Sequence, residues 1–235
     1  MCFLILPVVC VCTLHLAEKE KDTALTGLFV LSGIITNYFD FLTCETVTLL
    51  FPLLLVTASQ IRRRGEVKWK RIISGCAAWL LGYGGAWVSK WILTALVSGE
   101  NVLPYLSGHI QERLGGIPEE SILGNPLIML GRNLSALFPF GYGAAGRFAA
   151  AVLLLVAVYI LFVYHKNTVY KKGVWAYAFI GAVPYVRYLF LYEHSYRHYY
   201  FTHRAQAATV AALCLIVALV IGGEQKATAK KERGK

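Results

Sequence analysis

AQAATVAALCLIVALVIGG, residues 205–223, runs nineteen positions without a charged side chain. As a helix rising 1.5 Å per residue, it reaches about 28 Å, close to the ~30 Å of hydrocarbon in a bilayer. No soluble core needs an uncharged run of that length, so this stretch predicts a membrane span. The rest of the chain has the same character. Apolar residues make up 57% of its 235 positions, charged residues only 15%, and the mean hydropathy is +0.56. Those values point to repeated spans.

Six further apolar runs have comparable length: 1–17, 24–39, 44–60, 72–97, 143–164 and 173–191. The first, MCFLILPVVCVCTLHLA, is the weakest, being short and interrupted by Pro7. It lacks the basic leader of a signal peptide, and its abrupt start reads as the later part of a longer protein. The expected fold class is therefore all-α, a polytopic transmembrane helix bundle of about six to seven spans. Residues 1–223 form its single domain, followed by a basic cytoplasmic tail, 224–235, expected to be disordered.

Lys and Arg are distributed unevenly along the chain. The segments 18–22, 62–71 (RRRGEVKWKR), 165–172 and the tail hold sixteen of the 23 basic residues. By the positive-inside rule these are the cytoplasmic faces, which puts the C-terminus in the cytoplasm of a multi-pass cell-membrane protein. The opposite segments, 98–142 and 192–204, hold only Arg113, Arg132, Arg197 and Arg204, while most acidic residues fall on their side. The net charge of +10 is thus a sidedness signal, and nothing calls for a nucleic-acid partner. In the long outer loop, LPYLSGHIQERL (103–114) and NPLIMLGRNLSALF (125–138) each offer an apolar face and are expected to lie as interfacial helices.

The cysteines do not form a framework. Cys2, Cys10, Cys12, Cys76 and Cys214 lie in apolar runs, no C-x-x-C pair occurs, and buried single thiols are the simpler reading. The densest polar chemistry is EHSYRHYYFTHR, 193–204, on the outer side. His194 and His198 are four apart and share a helical face with Arg197 nearby. A metal site built from His194, His198 and His203 has too few partners among six histidines, so no metal and no other cofactor is expected. Ser195 lacks a G-x-S-x-G elbow. An interfacial belt of His and Tyr side chains remains an alternative.

Three cations stand near the same outer depth. Lys90 lies about 30 Å along a helix rising from Trp69, Arg187 one turn below the outer surface, and Arg204 at the start of the last span. Each alone can be a snorkelling side chain. Together they suit an anion, such as the phosphate of a polyprenyl lipid. Asp40, in the short turn NYFDFLTCE, is either a turn or capping aspartate or a base that orients an acceptor hydroxyl.

The stretches LSGIITNYFDFLTCETVTLLFPLLL (31–55), WLLGYGGAWVSKWIL (79–93) and VPYVRYLFLYEHSYRHYYFTHRAQA (183–207) resemble segments of a group of large, uncharacterised bacterial multi-span proteins. That group is itself similar to the GT-C class of membrane glycosyltransferases. The resemblance covers about residues 25–215 and implies an extracytoplasmic active site and a polyprenyl-phosphate sugar donor. It also implies inverting transfer assisted by an outer acidic residue. On this basis Asp40 and Glu193 are the catalytic candidates. Lys90, Arg187, His194, Arg197, His198 and Arg204 are the candidates for binding phosphate or sugar hydroxyls. GT-C enzymes place a principal acidic base in a first outer loop that this sequence does not contain, so an upstream region or a partner membrane subunit is expected. The alternative is a transporter or a lipid-binding scaffold subunit without catalysis. Internal pseudo-symmetry and paired broken helices, the marks of a transporter, are not evident.

Overall fold

The computed structural model describes residues 2–39, 44–114, 126–138, 144–164 and 170–233. Among them every regular element is a helix and no strand occurs. The order is α1 (Cys2–Glu18), α2 (Asp22–Phe39), α3 (Val47–Arg64), α4 (Trp69–Ser98), α5 (Leu103–Leu114) and α6 (Pro126–Ser135). It continues with α7 (Ala144–Tyr164), α8 (Lys171–Phe190), α9 (Tyr192–Arg197), α10 (Tyr199–Thr202), a 3₁₀ turn at His203–Gln206, and α11 (Ala207–Arg233). Each apolar run of the sequence overlaps one of the longer helices, with bounds that differ by a few residues except at the end of α11. Two stretches, Trp69–Ser98 and Tyr199–Ile221, are long and apolar enough to cross a membrane.

Helix ends follow local chemistry. Gly65 and Gly99 both take φ of 70°, a left-handed conformation that costs glycine little, and their N–H groups close the last turns of α3 and α4 on Ile61 and Ala95. α11 continues past the apolar run to Arg233. The tail EQKATAKKER is made largely of Ala, Lys, Glu, Gln and Arg, which lose little freedom in a helix, so nothing in it terminates the last span.

α2 and α4 pack along their length, and glycine sets their separation. A Cβ on Gly82 would stand 2.1 Å from the Val30 carbonyl oxygen, and one on Gly33 2.3 Å from that of Trp79. Such backbone approach is the small-residue packing of membrane helices. Hydroxyls join α2, α3 and α4 beside it: Thr36 and Thr48 oxygens lie 2.7 Å apart, and the Trp79 indole N–H donates to Thr48 Oγ1 at 3.2 Å. Leu50, Leu53, Ile72, Tyr177, Ile180 and Ile216 are fully enclosed and form the core between α3, α4, α8 and α11.

The basic segments gather at one end of the bundle. Arg62 pairs with Glu18, Arg64 with Glu20 at 2.5 Å, and Arg71 with Asp22 at 2.6 Å, tying the α1–α2 turn to the α3–α4 turn. Lys171 and Lys172 line a cavity there with Gly65 and Glu66. At the far end, α9, α10 and the 3₁₀ turn form a cap in which α6 is docked.

Candidate functional site at the capped end

The centre of the capped end is a buried ion pair. Arg187, in the last turn of α8, sends Nε to Glu45 Oε1 at 2.5 Å and Nη2 to Oε2 at 3.1 Å. Its Nη1 also reaches Ser195 Oγ at 3.4 Å. Side-chain exposure is 7% for Arg187 and 4% for Glu45, so each charge depends on the other. This fork fixes the turn before α3 to the histidine-bearing α9. Glu45 and the histidine turn, remote in sequence, are therefore neighbours.

Around that pair runs a polar network. Asn133 of α6 donates through Nδ2 to the Met129 and Ser195 carbonyls at 3.1 and 3.0 Å, and its Oδ1 accepts from Thr202 Oγ1 at 2.7 Å. Gln206 Nε2 donates to the Asn133 carbonyl at 2.6 Å, and Gln206 Oε1 accepts from Tyr185 at 3.1 Å. Tyr188 donates to the Thr202 carbonyl at 2.9 Å. Asn133, Ser195, Thr202 and Gln206 are fully or nearly fully enclosed. α6 is thus clamped on the bundle through Asn133, with Met129 fully enclosed one turn before it.

The histidine turn holds what the i,i+4 spacing predicts. His194 and His198 rings lie 4.8 Å apart, His198 stacks on Phe201 at 5.1 Å, and its Nδ1 is 3.2 Å from the Tyr200 hydroxyl. His203 faces elsewhere, its Nδ1 3.0 Å from the Tyr199 carbonyl. Among the described residues no cluster of His, Cys, Asp and Glu has the makings of a metal site. Glu193 and Arg197 pair across one helical turn at 2.5 Å.

The other candidates have more local surroundings. Lys90 donates to the Asn37 carbonyl at 2.9 Å and sits 4.6 Å over the Tyr38 ring. It satisfies one of the open carbonyls at the C-terminus of α2, where a cation also meets the negative end of the helix dipole. Arg204 is exposed, beside the histidine turn. Asp40 lies outside the described residues. The structure therefore brings Arg187, Glu193, His194, Arg197 and His198 onto or beside α9, with Arg187 already matched by a carboxylate, and leaves Lys90 at the α2 terminus.

Two cations escape the sequence reading. Arg132 of α6 and Arg147 of α7 line one cavity of about 430 Å³ together with Tyr196 and Tyr199. The Arg132 guanidinium lies 4.5 Å from the Tyr196 ring and 4.3 Å from that of Tyr199. The available signal was Arg147 itself, the one charged residue in the apolar run 143–164. Compared with protein families, with curated proteins and with solved structures, the chain matches none.

Proposed function

We propose that this chain is a multi-pass membrane protein, similar to GT-C glycosyltransferases, that handles a polyprenyl-phosphate-linked sugar at its extracytoplasmic face. The observation that supports it most is the Glu45–Arg187–Ser195 junction, which joins Glu45, just before α3, to the histidine turn. Sugar transfer from a lipid phosphate needs a base for the acceptor hydroxyl and cations for the departing phosphate. Asp40, five positions before Glu45, is the acidic group in the appropriate turn. His194, His198 and Arg204 are the groups for phosphate and sugar hydroxyls, because Arg187 and Lys90 are committed to protein partners. Glu193 and Arg197 compensate each other and position α9. In this reading the capped end faces outward, and the basic end faces the cytoplasm.

The test is retention of a polyprenyl-phosphate-linked sugar by purified protein in proteoliposomes, with release of the labelled sugar as a second readout. Replacing His194, His198 and Arg204 by Ala should weaken retention by roughly 10- to 100-fold, the worth of one or two charge-assisted hydrogen bonds. Asp40→Asn should spare retention and abolish release. Undiminished retention with all three replaced would leave the histidine turn as an interfacial belt, in line with the scaffold alternative.

A further inference from the structure

We infer that Arg132 and Arg147 form the head-group end of a lipid-phosphate site whose hydrocarbon chain lies in the apolar groove between α6, α7, α8 and α11. The inference rests on the proposed function only in taking a lipid phosphate as the ligand; sugar transfer plays no part in it.

The head-group end is built for an anion. Neither Arg132 nor Arg147 has a carboxylate partner among the described residues, yet both line one cavity. Arg132 is half-buried and Arg147 exposed, and two like charges lining one cavity favour an anion between them. The Arg132 guanidinium is held over the Tyr196 and Tyr199 rings, and a guanidinium has five N–H donors with which to meet a ligand. Planar edge donors match phosphate oxygens in pairs. Arg147 stands in the first turn of α7, where backbone N–H groups and the helix dipole add to the same preference. Ser135 contributes the same wall of the cavity.

The chain end adjoins it. A second cavity, of about 230 Å³, is lined by Leu153 and Ala157 of α7, Gly181 and Tyr185 of α8, and Leu213 and Ile216 of α11. The two cavities lie against α6 at consecutive residues, Ser135 lining the polar one and Leu134 the apolar one. On α7, Arg147 and Leu153 are six residues apart, about 9 Å along the axis. Two of the three polar side chains that line the groove are occupied: Tyr185 donates to Gln206, and Thr209 donates to the Gly181 carbonyl at 2.7 Å. Most of what remains there is apolar wall, which favours hydrocarbon. A phosphate with one attached chain fits both halves; a free anion has no use for the second.

The experiment uses the full chain in detergent with farnesyl phosphate as probe, and farnesol and inorganic phosphate as its separate halves. Farnesyl phosphate should bind at least roughly tenfold more tightly than either half. Arg132→Gln and Arg147→Gln should each weaken it by about 10- to 100-fold, at unchanged thermal unfolding. Arg132→Lys should recover only part of the loss, because a point charge lacks the planar fork. Ala157→Trp, which fills the groove, should weaken farnesyl phosphate and leave inorganic phosphate untouched. Equal binding by the Arg132→Gln/Arg147→Gln double variant would overturn the inference, as would inorganic phosphate binding as well as the lipid. Since farnesyl phosphate carries no sugar, arginine dependence together with indifference to His194→Ala would uphold this site while removing the proposed role of the histidine turn.

Discussion

Glu45 and Arg187 stand 142 positions apart and meet in a two-pronged ion pair, with contacts of 2.5 and 3.1 Å, in a nearly solvent-free setting. Removing one partner strands the other charge, a cost of about 3–5 kcal/mol. Glu45→Gln and Arg187→Met should each destabilise the protein by about that much, measured by thermal unfolding in detergent. The double variant Glu45→Leu/Arg187→Met should lose less than the two single losses added together, because no orphan charge remains. Strict additivity would mean that the pair does not couple. Arg187 is consequently a poor place to test ligand binding, since its loss disturbs the bundle itself.

A steric prediction concerns α2 and α4. Gly82→Ala and Gly33→Ala each drive a Cβ to within 2.3 Å of backbone oxygen, and a backbone cannot yield as a flexible side chain does. Each should cost about 1–3 kcal/mol or prevent the helices from seating. Gly84→Ala, with nothing within 4 Å of the added carbon, should be neutral or slightly stabilising. Equal effects at Gly82 and Gly84 would rule out close α2–α4 contact.

The helices were legible because apolar run length is a local property. Residues 72–97 and α4, or 173–191 and α8, differ by only a few positions at either end. The capped end was legible only in part. His194 and His198 share a face because four-residue spacing fixes that on any helix. The partnership of Arg187 with Glu45 is different: it depends on how α3 and α8 pack, and no periodicity records it. Lys90 was read as a free cation for a related reason, since its Asn37 partner is a backbone carbonyl, which sequence does not mark. Arg132 and Arg147 were passed over because a lone arginine near a helix end is usually a snorkelling anchor, and only their shared cavity distinguishes them.

The clamp on α6 should fail locally. Asn133→Ala removes the donor to the Ser195 carbonyl and the shorter of the two acceptors of Thr202, whose hydroxyl keeps the His198 carbonyl at 3.2 Å, at a cost of about 1–3 kcal/mol. The loss should appear as faster amide hydrogen exchange in α6, α9 and α10, while α2 and α4 keep their protection. Uniform loss of protection throughout the bundle would show that α6 is part of the main cooperative unit.

At the basic end, the Arg64 hydrogen bond holds the Glu20 carboxyl below its ordinary value. A depressed carboxylate contributes stability above its unfolded value and loses it as pH falls through the lower folded one. Glu20 is fully exposed, so the effect is small and salt-sensitive. The unfolding temperatures of the parent and Glu20→Gln should differ slightly at neutral pH and converge as the medium becomes acidic. A difference that widens in acid would reverse the assigned sign.

Membrane orientation is the prediction on which the functional reading depends. Arg62, Arg64 and Arg71 gather at one end, and the same end receives Lys171 and Lys172. Lysine and arginine flanking a span are retained on the cytoplasmic side, so this end should face the cytoplasm and the α5–α6–α9 end should face outward. Lys70 and Glu100 are both exposed and bracket α4, one of the two helices long enough to cross. In a background with the native cysteines replaced by Ala or Ser, Glu100→Cys should react with a membrane-impermeant thiol reagent in intact cells. Lys70→Cys should react only after permeabilisation. Labelling of Lys70→Cys alone in intact cells would invert the protein and place the histidine turn and the two arginines in the cytoplasm, excluding extracytoplasmic sugar transfer. Labelling of both would show that α4 does not cross, and the bundle would then need another account of its exposed apolar surface.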